Sequence, residues 1–372
     1  MNKYLFAFIL PLIALASCGE SENNGNTTET DGDSGATKKS EVHYTEEVHL
    51  SNVHQLTNGG DIAEAYWSFD DNMLVFQAKY DKWGAECDQI FIASWWQDDL
   101  INDTPKMVST GKGRTTCSYF LPGDSTILYA STHLGNEACP AVPEKREDGK
   151  YIWPIYPDFD IFVADLEGNI TQQLTDFEGY DAEATVSAQG DKIVFTSLRT
   201  GDLELFTMDI DGSNVKQITY ELGYDGGAFF SPDGTQLIFR SSRPKTEEDI
   251  KIYKDLLAQG LVMPTEMELY ICDVNGDNLR QLTHLGGANW APFFHPNGEK
   301  VLFSSNHANE AGFPFNLFMI NTDGTGLEQI TYDGVFDAFP VFSNSGKHLV
   351  WSSNRNNGGT HETNLFVAEW VD

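Results

Sequence analysis

Acidic and amide side chains recur at one position of a repeated sequence segment, and their oxygen atoms could bind a cation. The segment ends in a short polar turn, and the residue six positions before the turn is a carboxylate or carboxamide in four of six copies. These four residues are Asp181, Asp225, Asn289 and Asp337, whereas Ile62 and Thr115 hold the other two positions. Glu64 and Glu183 follow two residues later in their own copies.

Oxygen donors that converge on one axis suit a hard cation such as Ca²⁺, or the amine or guanidinium of a peptide. We therefore interpret the four residues, with Glu64 and Glu183, as a candidate ligand-binding ring. In the alternative interpretation the same side chains cap backbone groups of neighbouring loops. Ca²⁺ at this ring is the one cofactor that the pattern suggests, and no other metal or cofactor is expected.

The sequence contains no spacing typical of a catalytic site. It has no Gly-x-Ser-x-Gly elbow, no His-Glu-x-x-His pair and no phosphate-binding loop. A non-catalytic binding function is therefore the main prediction. The alternative is an enzyme that assembles scattered residues around a channel, such as a lyase or hydrolase acting on a saccharide or lactone, with or without a metal.

The chain is strongly acidic, which restricts its partners. It has 372 residues, with 23 Lys and Arg against 56 Asp and Glu, and a formal net charge of −33. Such a charge repels nucleic acid and anionic lipid headgroups. We expect a protein or peptide partner, no nucleic acid and a monomeric chain.

The N-terminus resembles that of a bacterial lipoprotein. Lys3 precedes an apolar stretch that is too short to span a bilayer and that ends in Leu15-Ala16-Ser17-Cys18, similar to a lipobox. In that interpretation residues 1–17 are a signal peptide, Cys18 carries the lipid, and residues 18–41 are a disordered polar tether. Membrane contact is then through the lipid alone. Gly19 favours the outer membrane, facing the periplasm or the cell surface; the alternative is a free Cys18 behind an ordinary signal peptide.

Residues 42–372 contain six copies of one pattern. A tripeptide marks each copy: Gln-Leu-Thr at 55–57, 173–175 and 281–283, Gln-Ile-Thr at 217–219 and 329–331, and Met-Val-Ser at 107–109. Turns such as Ser-Pro-Asp-Gly at 231–234 and Asp-Ile-Asp-Gly at 209–212 separate short apolar strands. Four antiparallel strands per copy predict an all-β, six-bladed propeller. Because no tripeptide follows Trp370, we expect residues 53–57 to complete the last blade and close the ring.

These motifs resemble the TolB-like propellers, whose repeat combines Ser-Pro-Asp-Gly, an apolar strand ending in Ser-x-Arg, Asp-x-Asp-Gly and Gln-Leu-Thr. The match is strongest at residues 223–243 and extends over most of the chain after residue 41. The resemblance implies a binding module of the cell envelope. The chain has no room for the small α/β domain that precedes the TolB propeller, so it does not imply a TolB-specific partner.

Two insertions lie between the second and third strands of their copies, and therefore on the face opposite the Ser-Pro-Asp-Gly turns. Residues 133–159 carry Tyr151 and Trp153, an aromatic loop suited to gripping a partner chain. Residues 244–264 include a predicted helix at 246–259, with a capping-box start at Thr246 and Asp249. Variable loops on a rigid scaffold usually carry binding. Alternatively, both insertions cover apolar rims of the propeller.

Four cysteines remain after Cys18 in an export compartment that permits disulfides. We predict a Cys117–Cys139 bond, with Cys87 as a competing partner for either, and a buried free thiol at Cys272. The alignment of strand ends also predicts two ion pairs within hairpins, Arg199 with Glu204 and Arg243 with Glu268.

Overall fold

The computed structural model describes residues 42–95, 103–144, 146, 150–263, 266–309, 312 and 314–372. The predicted signal peptide, the lipidation site Cys18 and the polar tether lie outside these described residues. Across the described ranges, no helix is long and apolar enough to cross a membrane.

Each of the six repeats folds into one four-stranded antiparallel sheet, and the sheets are the blades of a propeller. From the channel outward, blades 1 and 2 consist of Asp61–Trp67, Met73–Tyr80, Ala85–Ser94 and Lys106–Met107, then Thr115–Phe120, Thr126–Ser131, Asp160–Asp165 and Ile170–Gln173. Blades 3 and 4 consist of Asp181–Val186, Lys192–Ser197, Glu204–Asp209 and Lys216–Gln217, then Tyr224–Phe230, Gln236–Ser242, Glu268–Asp273 and Arg280–Gln281. Blade 5 consists of Asn289–Phe294, Lys300–Ser305, Asn316–Asn321 and Glu328–Gln329. The all-β, six-bladed prediction is confirmed.

Blade 6 is built from both ends of the described chain. Its inner three strands are Asp337–Phe342, His348–Ser353 and Asn364–Trp370. Its outer strand is Leu50–Gln55, which pairs antiparallel with Asn364–Trp370 and aligns Gln55 with Phe366. The predicted closure by an N-terminal strand is therefore confirmed, although the strand begins and ends slightly earlier than residues 53–57.

The recurring tripeptide holds each outer strand against its neighbour. In blade 3, the Thr219 hydroxyl accepts a hydrogen bond from the backbone N–H of Leu205 at 2.9 Å, and the N–H of Ile218 donates to the Leu205 carbonyl at 2.8 Å. A threonine or serine accepts the equivalent bond in every blade, namely Thr57, Ser109, Thr175, Thr219, Thr283 and Thr331. The tripeptide is thus a structural element of the blade.

The second strand of each blade is buried on both faces, because blades stack on their neighbours. Phe195, Phe239 and Phe303 occupy this strand in blades 3, 4 and 5, and each is fully buried. Burial of a phenylalanine side chain contributes about 2 kcal/mol. The apolar second strands therefore form a rigid scaffold for the residues that line the channel.

The two insertions join each other on the face opposite the Ser-Pro-Asp-Gly turns, which we call the loop-rich face; the other is the turn face. A short strand of the first insertion, Trp153–Pro154, pairs with Leu261–Val262 of the second. The helix of the second insertion spans Glu247–Leu257, and Thr246 and Asp249 form the predicted capping box. A single-turn 3₁₀ helix, Asp81–Trp83, completes the described elements outside the sheets.

Candidate functional site

Six residues with left-handed backbone conformation surround the channel, one from the inner strand of each blade. Five are not glycine, and each of those costs about 1–2 kcal/mol of backbone strain. The six residues and their φ angles are Glu64 (55°), Cys117 (47°), Glu183 (59°), Gly227 (56°), Ala291 (49°) and Phe339 (55°). Strained positions of this kind often cluster at functional sites.

A β-bulge in every inner strand produces this ring. In blade 3, for example, the pairing register shifts between Ala182 and Thr185, on either side of Glu183. The bulge leaves one residue unpaired and turns its side chain away from the regular alternation. Residues two positions after the predicted acidic ring therefore face the channel.

A cavity of about 200 Å³ opens at this ring, towards the loop-rich face. Its lining differs from side to side: acidic and hydroxyl groups come from blades 1 to 3, and aromatic and aliphatic groups from blades 5 and 6. The lining residues are Glu64, Tyr66, Thr116, Cys117, Trp153, Tyr180, Glu183, Thr185, Gly227, Phe229, Arg240, Trp290, Ala291, Phe339, Pro340 and Val341.

An aromatic layer closes the bottom of the cavity. Tyr66 packs against Tyr119 with ring centroids 5.3 Å apart, and against Phe229 at 5.9 Å. Phe229 also packs against Phe293 at 5.1 Å. A second cavity, of about 360 Å³, begins beyond this layer on the turn face, and Phe229 lines both cavities. The channel is thus divided into two separate pockets.

Glu183 is held by five donors. Its Oε1 accepts hydrogen bonds from the hydroxyls of Tyr180 (3.0 Å) and Tyr224 (2.7 Å). Its Oε2 accepts from the Thr196 hydroxyl (3.2 Å), the Gly227 N–H (2.6 Å) and Arg240 Nη2 (3.1 Å). This carboxylate is therefore fully engaged within the protein.

Gly227 fits a place that a larger residue cannot occupy. Its φ is +56°, and a Cβ at this position would collide with the Arg240 guanidinium. Arg240 also lies over the ring of Trp153, 5.7 Å from its centroid. The glycine lets the guanidinium reach Glu183, and the arginine in turn supports the tryptophan of the first insertion.

Glu64 is less completely bonded than Glu183. Its Oε2 accepts a hydrogen bond from the Cys117 thiol at 3.1 Å and a long one from the Tyr66 hydroxyl at 3.5 Å. Among the described residues, no group donates a hydrogen bond to Oε1. Burial raises the pKa of Glu64, and burial together with the neighbouring Glu64 charge holds the pKa of the Cys117 thiol well above its usual range.

The predicted acidic ring lies inside the blades instead of around the channel. Asp181, Asp225 and Asp337 have no exposed surface. Each pairs with the arginine just beyond the end of its neighbouring strand: Arg199 with Asp181 at 2.7 Å, Arg243 with Asp225 at 2.8 Å, and Arg355 with Asp337 at 2.9 Å. Asp181 aligns with Ser197, so Arg199 folds back over the start of the inner strand. The predicted pairs Arg199–Glu204 and Arg243–Glu268 are therefore wrong.

Asn289 shows how blade 5 replaces this ion pair. Its amide nitrogen donates to the carbonyl of Met267 at 2.9 Å and to Glu268 Oε2 at 3.1 Å. Its amide oxygen accepts from the Ser305 hydroxyl at 2.6 Å, which also contacts His307 Nδ1 at 2.8 Å. Blade 5 thus has His307 where blades 3, 4 and 6 have arginine, and the neutral amide of Asn289 where they have aspartate. These contacts match the alternative interpretation, in which the recurring side chains bind nearby backbone and loop groups.

The disulfide prediction is corrected. Cys87 pairs with Cys139, whereas Cys117 and Cys272 are free thiols. Cys117 faces the channel at the bulge of its inner strand, where its thiol reaches Glu64. Cys87 lies in the third strand of blade 1, so the bond fastens the first insertion to the neighbouring blade. Cys272 is buried, as predicted.

The first insertion both covers the propeller and reaches the cavity. Ile155 and Phe159 are buried, and Trp153 packs with Tyr224 at 5.7 Å and lines the cavity. Tyr151 is 69% exposed beside Trp153, with ring centroids 6.2 Å apart. The two predicted aromatic residues therefore lie together at the edge of the cavity.

The cavity also contains residues that the sequence patterns did not indicate, namely Arg240, Cys117, Trp290 and Phe339. A signal was available, because Cys117 and Phe339 occupy the same repeat position as Glu64 and Glu183. Strict alternation along a strand would have placed that position on the same face as the acidic ring, and only the bulge separates the two. In the described part of the chain, no three His, Cys, Asp or Glu side chains lie close enough together to hold a metal ion.

Comparisons with known proteins agree with this architecture. Residues 156–262 match the TolB beta propeller domain. A TolB-type protein from Agrobacterium tumefaciens is 18% identical, with a TM-score of 0.52 over 84% of this chain and 91% of that one. TolB from Acinetobacter baumannii is 19% identical, with a TM-score of 0.49 over 83% of this chain and 63% of that one.

An oligogalacturonate lyase in complex with manganese is 14% identical, with a TM-score of 0.47 over 87% of this chain and 95% of that one. No curated protein sequence matches the chain. At these identities the solved structures establish the fold alone. Residues 156–262 therefore match the TolB beta propeller domain, and the described chain folds into a propeller of six four-stranded blades.

Proposed function

We propose that this protein is a non-catalytic binding module that holds a protein or peptide partner on its loop-rich face. The observation that carries the proposal is the cavity at that end of the channel, which Trp153 of the first insertion helps to line. Exposed Tyr151 extends the same surface outward. A rigid pocket beside an aromatic loop is typical of a site that anchors a side chain of a bound partner.

The bonding of the polar groups in the cavity favours binding over nucleophilic catalysis. Glu183 is saturated by its five donors and has no lone pair left for a substrate proton. The Cys117 thiol has a raised pKa, so little thiolate is present near neutral pH, and the thiolate is the nucleophilic form. Turnover of a saccharide or lactone by the purified protein would instead support the enzyme alternative.

We further propose that Cys18 anchors the protein by lipid in the cell envelope, at the outer membrane. The support is the sequence Leu15-Ala16-Ser17-Cys18 behind a short apolar stretch. The polar residues 18–41 would then let the propeller reach a partner at some distance from the membrane. A TolB-like propeller fold is compatible with this location.

Capture from bacterial membranes tests the binding proposal. The full-length chain, carrying an affinity tag, would be compared with the double variant Tyr151→Ala, Trp153→Ala and with Asn297→Ala, which changes an exposed turn-face residue. We expect the double variant to lose its partner and Asn297→Ala to retain it. Loss of capture in Asn297→Ala alone would locate binding on the turn face and contradict the proposal.

A further inference from the structure

We propose that the cavity on the loop-rich face binds one cationic group on an alkyl stem, namely the ammonium of a lysine or the guanidinium of an arginine side chain from the partner. This inference rests on the proposed binding function and specifies its ligand class. It depends on the charge balance of the cavity, on its aromatic wall, and on its closed end.

The charge balance leaves one carboxylate without a cationic partner. The ionisable acids and bases that line the cavity include Glu64, Glu183 and Arg240. Arg240 bonds directly to Glu183 at 3.1 Å, and Tyr224 bonds to both. Glu183 and Arg240 thus form a neutral pair, and Glu64 remains as the acidic group that a ligand can neutralise.

One carboxylate oxygen of Glu64 can still accept a hydrogen bond from a ligand. Its Oε2 is engaged by Cys117, whereas Oε1 accepts no hydrogen bond from the described residues. A carboxylate in a confined, poorly hydrated site strongly favours a charge-assisted hydrogen bond from a cation. Burial already raises the pKa of Glu64, so an incoming cation removes an existing penalty on its charge.

The aromatic wall that blades 5 and 6 form beside Glu64 suits the rest of such a side chain. Trp290 and Phe339 pack edge to face, with centroids 4.9 Å apart, and both line the cavity with Val341. Aromatic faces attract ammonium and guanidinium groups, and apolar walls bind the methylene groups of the stem. The net charge of −33 further favours a cationic ligand over an anionic one.

The closed end limits what can enter. Tyr66 and Phe229 form the floor, and the free volume is about 200 Å³. A single long side chain fits such a volume, whereas a folded segment or a threaded chain does not. The ligand must therefore enter from the loop-rich face as one projecting side chain.

Calorimetric titration of the full-length protein with small probes tests the inference. The cationic probes are N-acetyl-lysine methylamide and N-acetyl-arginine methylamide, and their neutral counterparts contain norleucine and citrulline, which have nearly the same shape. For a ligand of this size we expect a Kd on the order of 1 mM for at least one cationic probe. We expect binding at least about ten-fold weaker for its neutral counterpart.

Two matched variants identify the carboxylate. Glu64→Gln should weaken binding of the cationic probe by about ten-fold or more, whereas Glu86→Gln, which removes an exposed carboxylate from blade 1, should not change it. Glu64→Gln should also melt at a higher temperature than the unliganded parent, because it removes a charge from a partly buried site that offers it no cationic partner. A higher melting temperature would show that the variant is folded and that the Glu64 charge destabilises the unliganded protein.

Three outcomes would overturn this inference, and partner capture shows whether the proposed binding function fails with it. Equal binding of neutral and cationic probes, unchanged binding in Glu64→Gln, or no binding of any probe would overturn the inference. If partner capture still depended on Tyr151 and Trp153 in that case, the binding function would stand with a different ligand class. Loss of that dependence as well would contradict both.

Discussion

Arg355 of blade 6 and Glu47, which precedes the outer strand of that blade, form a fully buried ion pair with Nη2 2.9 Å from Oε1. Arg355 also bonds to Asp337, so one guanidinium links the start of the inner strand to the N-terminal segment. The ring is therefore closed by a buried charge cluster as well as by the pairing of Leu50–Gln55.

Loss of this closure should destabilise the whole propeller. A chain that begins at Gly59 lacks Glu47 and the outer strand, so it exposes the edge of blade 6 and leaves Arg355 with Asp337 alone. We expect a free energy of unfolding lower by at least about 3 kcal/mol than that of a chain beginning at Val42, because breaking a buried ion pair alone costs about this much. Denaturant unfolding provides the comparison.

A single substitution tests the contribution of the ion pair while the outer strand stays in place. Glu47→Gln should be destabilising, and Glu46→Gln, at an exposed neighbouring position, should be neutral. Equal stability of the chains that begin at Gly59 and Val42 would contradict the closure described here.

The cysteine pairing can be checked by peptide mapping. After unfolding, alkylation and digestion without reductant, we expect one disulfide-linked peptide pair containing Cys87 and Cys139, and alkylated free thiols at Cys117 and Cys272. Cys139→Ala should lower the free energy of unfolding by about 2–4 kcal/mol and loosen the first insertion. Recovery of a Cys117–Cys139 peptide would show that the sequence-based pairing was right.

Stability should fall between about pH 7 and about pH 9 because of Glu204. Burial raises its pKa to about 8, from 4.5 in the unfolded chain, against the lowering effects of the Thr219 hydroxyl and Arg243 and with further raising by Asp225 and Asp202. The folded protein thus holds this proton more tightly than the unfolded chain. The resulting stability is complete below about pH 4.5, decreases progressively as the pH rises from there, and is fully lost once the pH has passed the folded pKa of about 8.

Over that window the loss from Glu204 should be about 1.4 kcal/mol. Denaturant midpoints of the parent and of Glu204→Gln, measured at both pH values, isolate this part from other titrating groups. We expect a smaller decrease in the variant. Identical pH dependence in the two proteins would mean that Glu204 is ionised throughout.

Lipid anchoring depends on one residue. Cys18→Ser should abolish acylation and leave a soluble or uncleaved product, since the preceding apolar stretch is too short to span a bilayer. Ser17→Ala, which keeps a small residue before the cysteine, should be processed normally. Globomycin-sensitive cleavage and membrane fractionation are the measurements, and membrane retention of a normally processed Cys18→Ser protein would rule out the lipoprotein assignment.

Local patterns in the sequence were enough to predict the blades, the closing strand and the capped helix. Thr246 with Asp249, or the missing tripeptide after Trp370, can be recognised without knowledge of distant contacts. The channel ring could not be predicted in the same way, because a bulge at Glu183 reverses which of two nearby positions faces the axis. Likewise, the partner of Cys139 depends on how the first insertion crosses to blade 1, which sequence spacing does not encode.

Site-specific photocrosslinking in cells would show which face of the propeller holds the partner. Benzoylphenylalanine replaces Tyr151 at the edge of the cavity or, as the control, Asn297 on the turn face; both positions are exposed. We expect a discrete crosslinked protein or peptide from position 151 and none from position 297, with the position-151 product lost when Trp153→Ala is added. A partner crosslinked from position 297 and absent from position 151 would contradict this expectation.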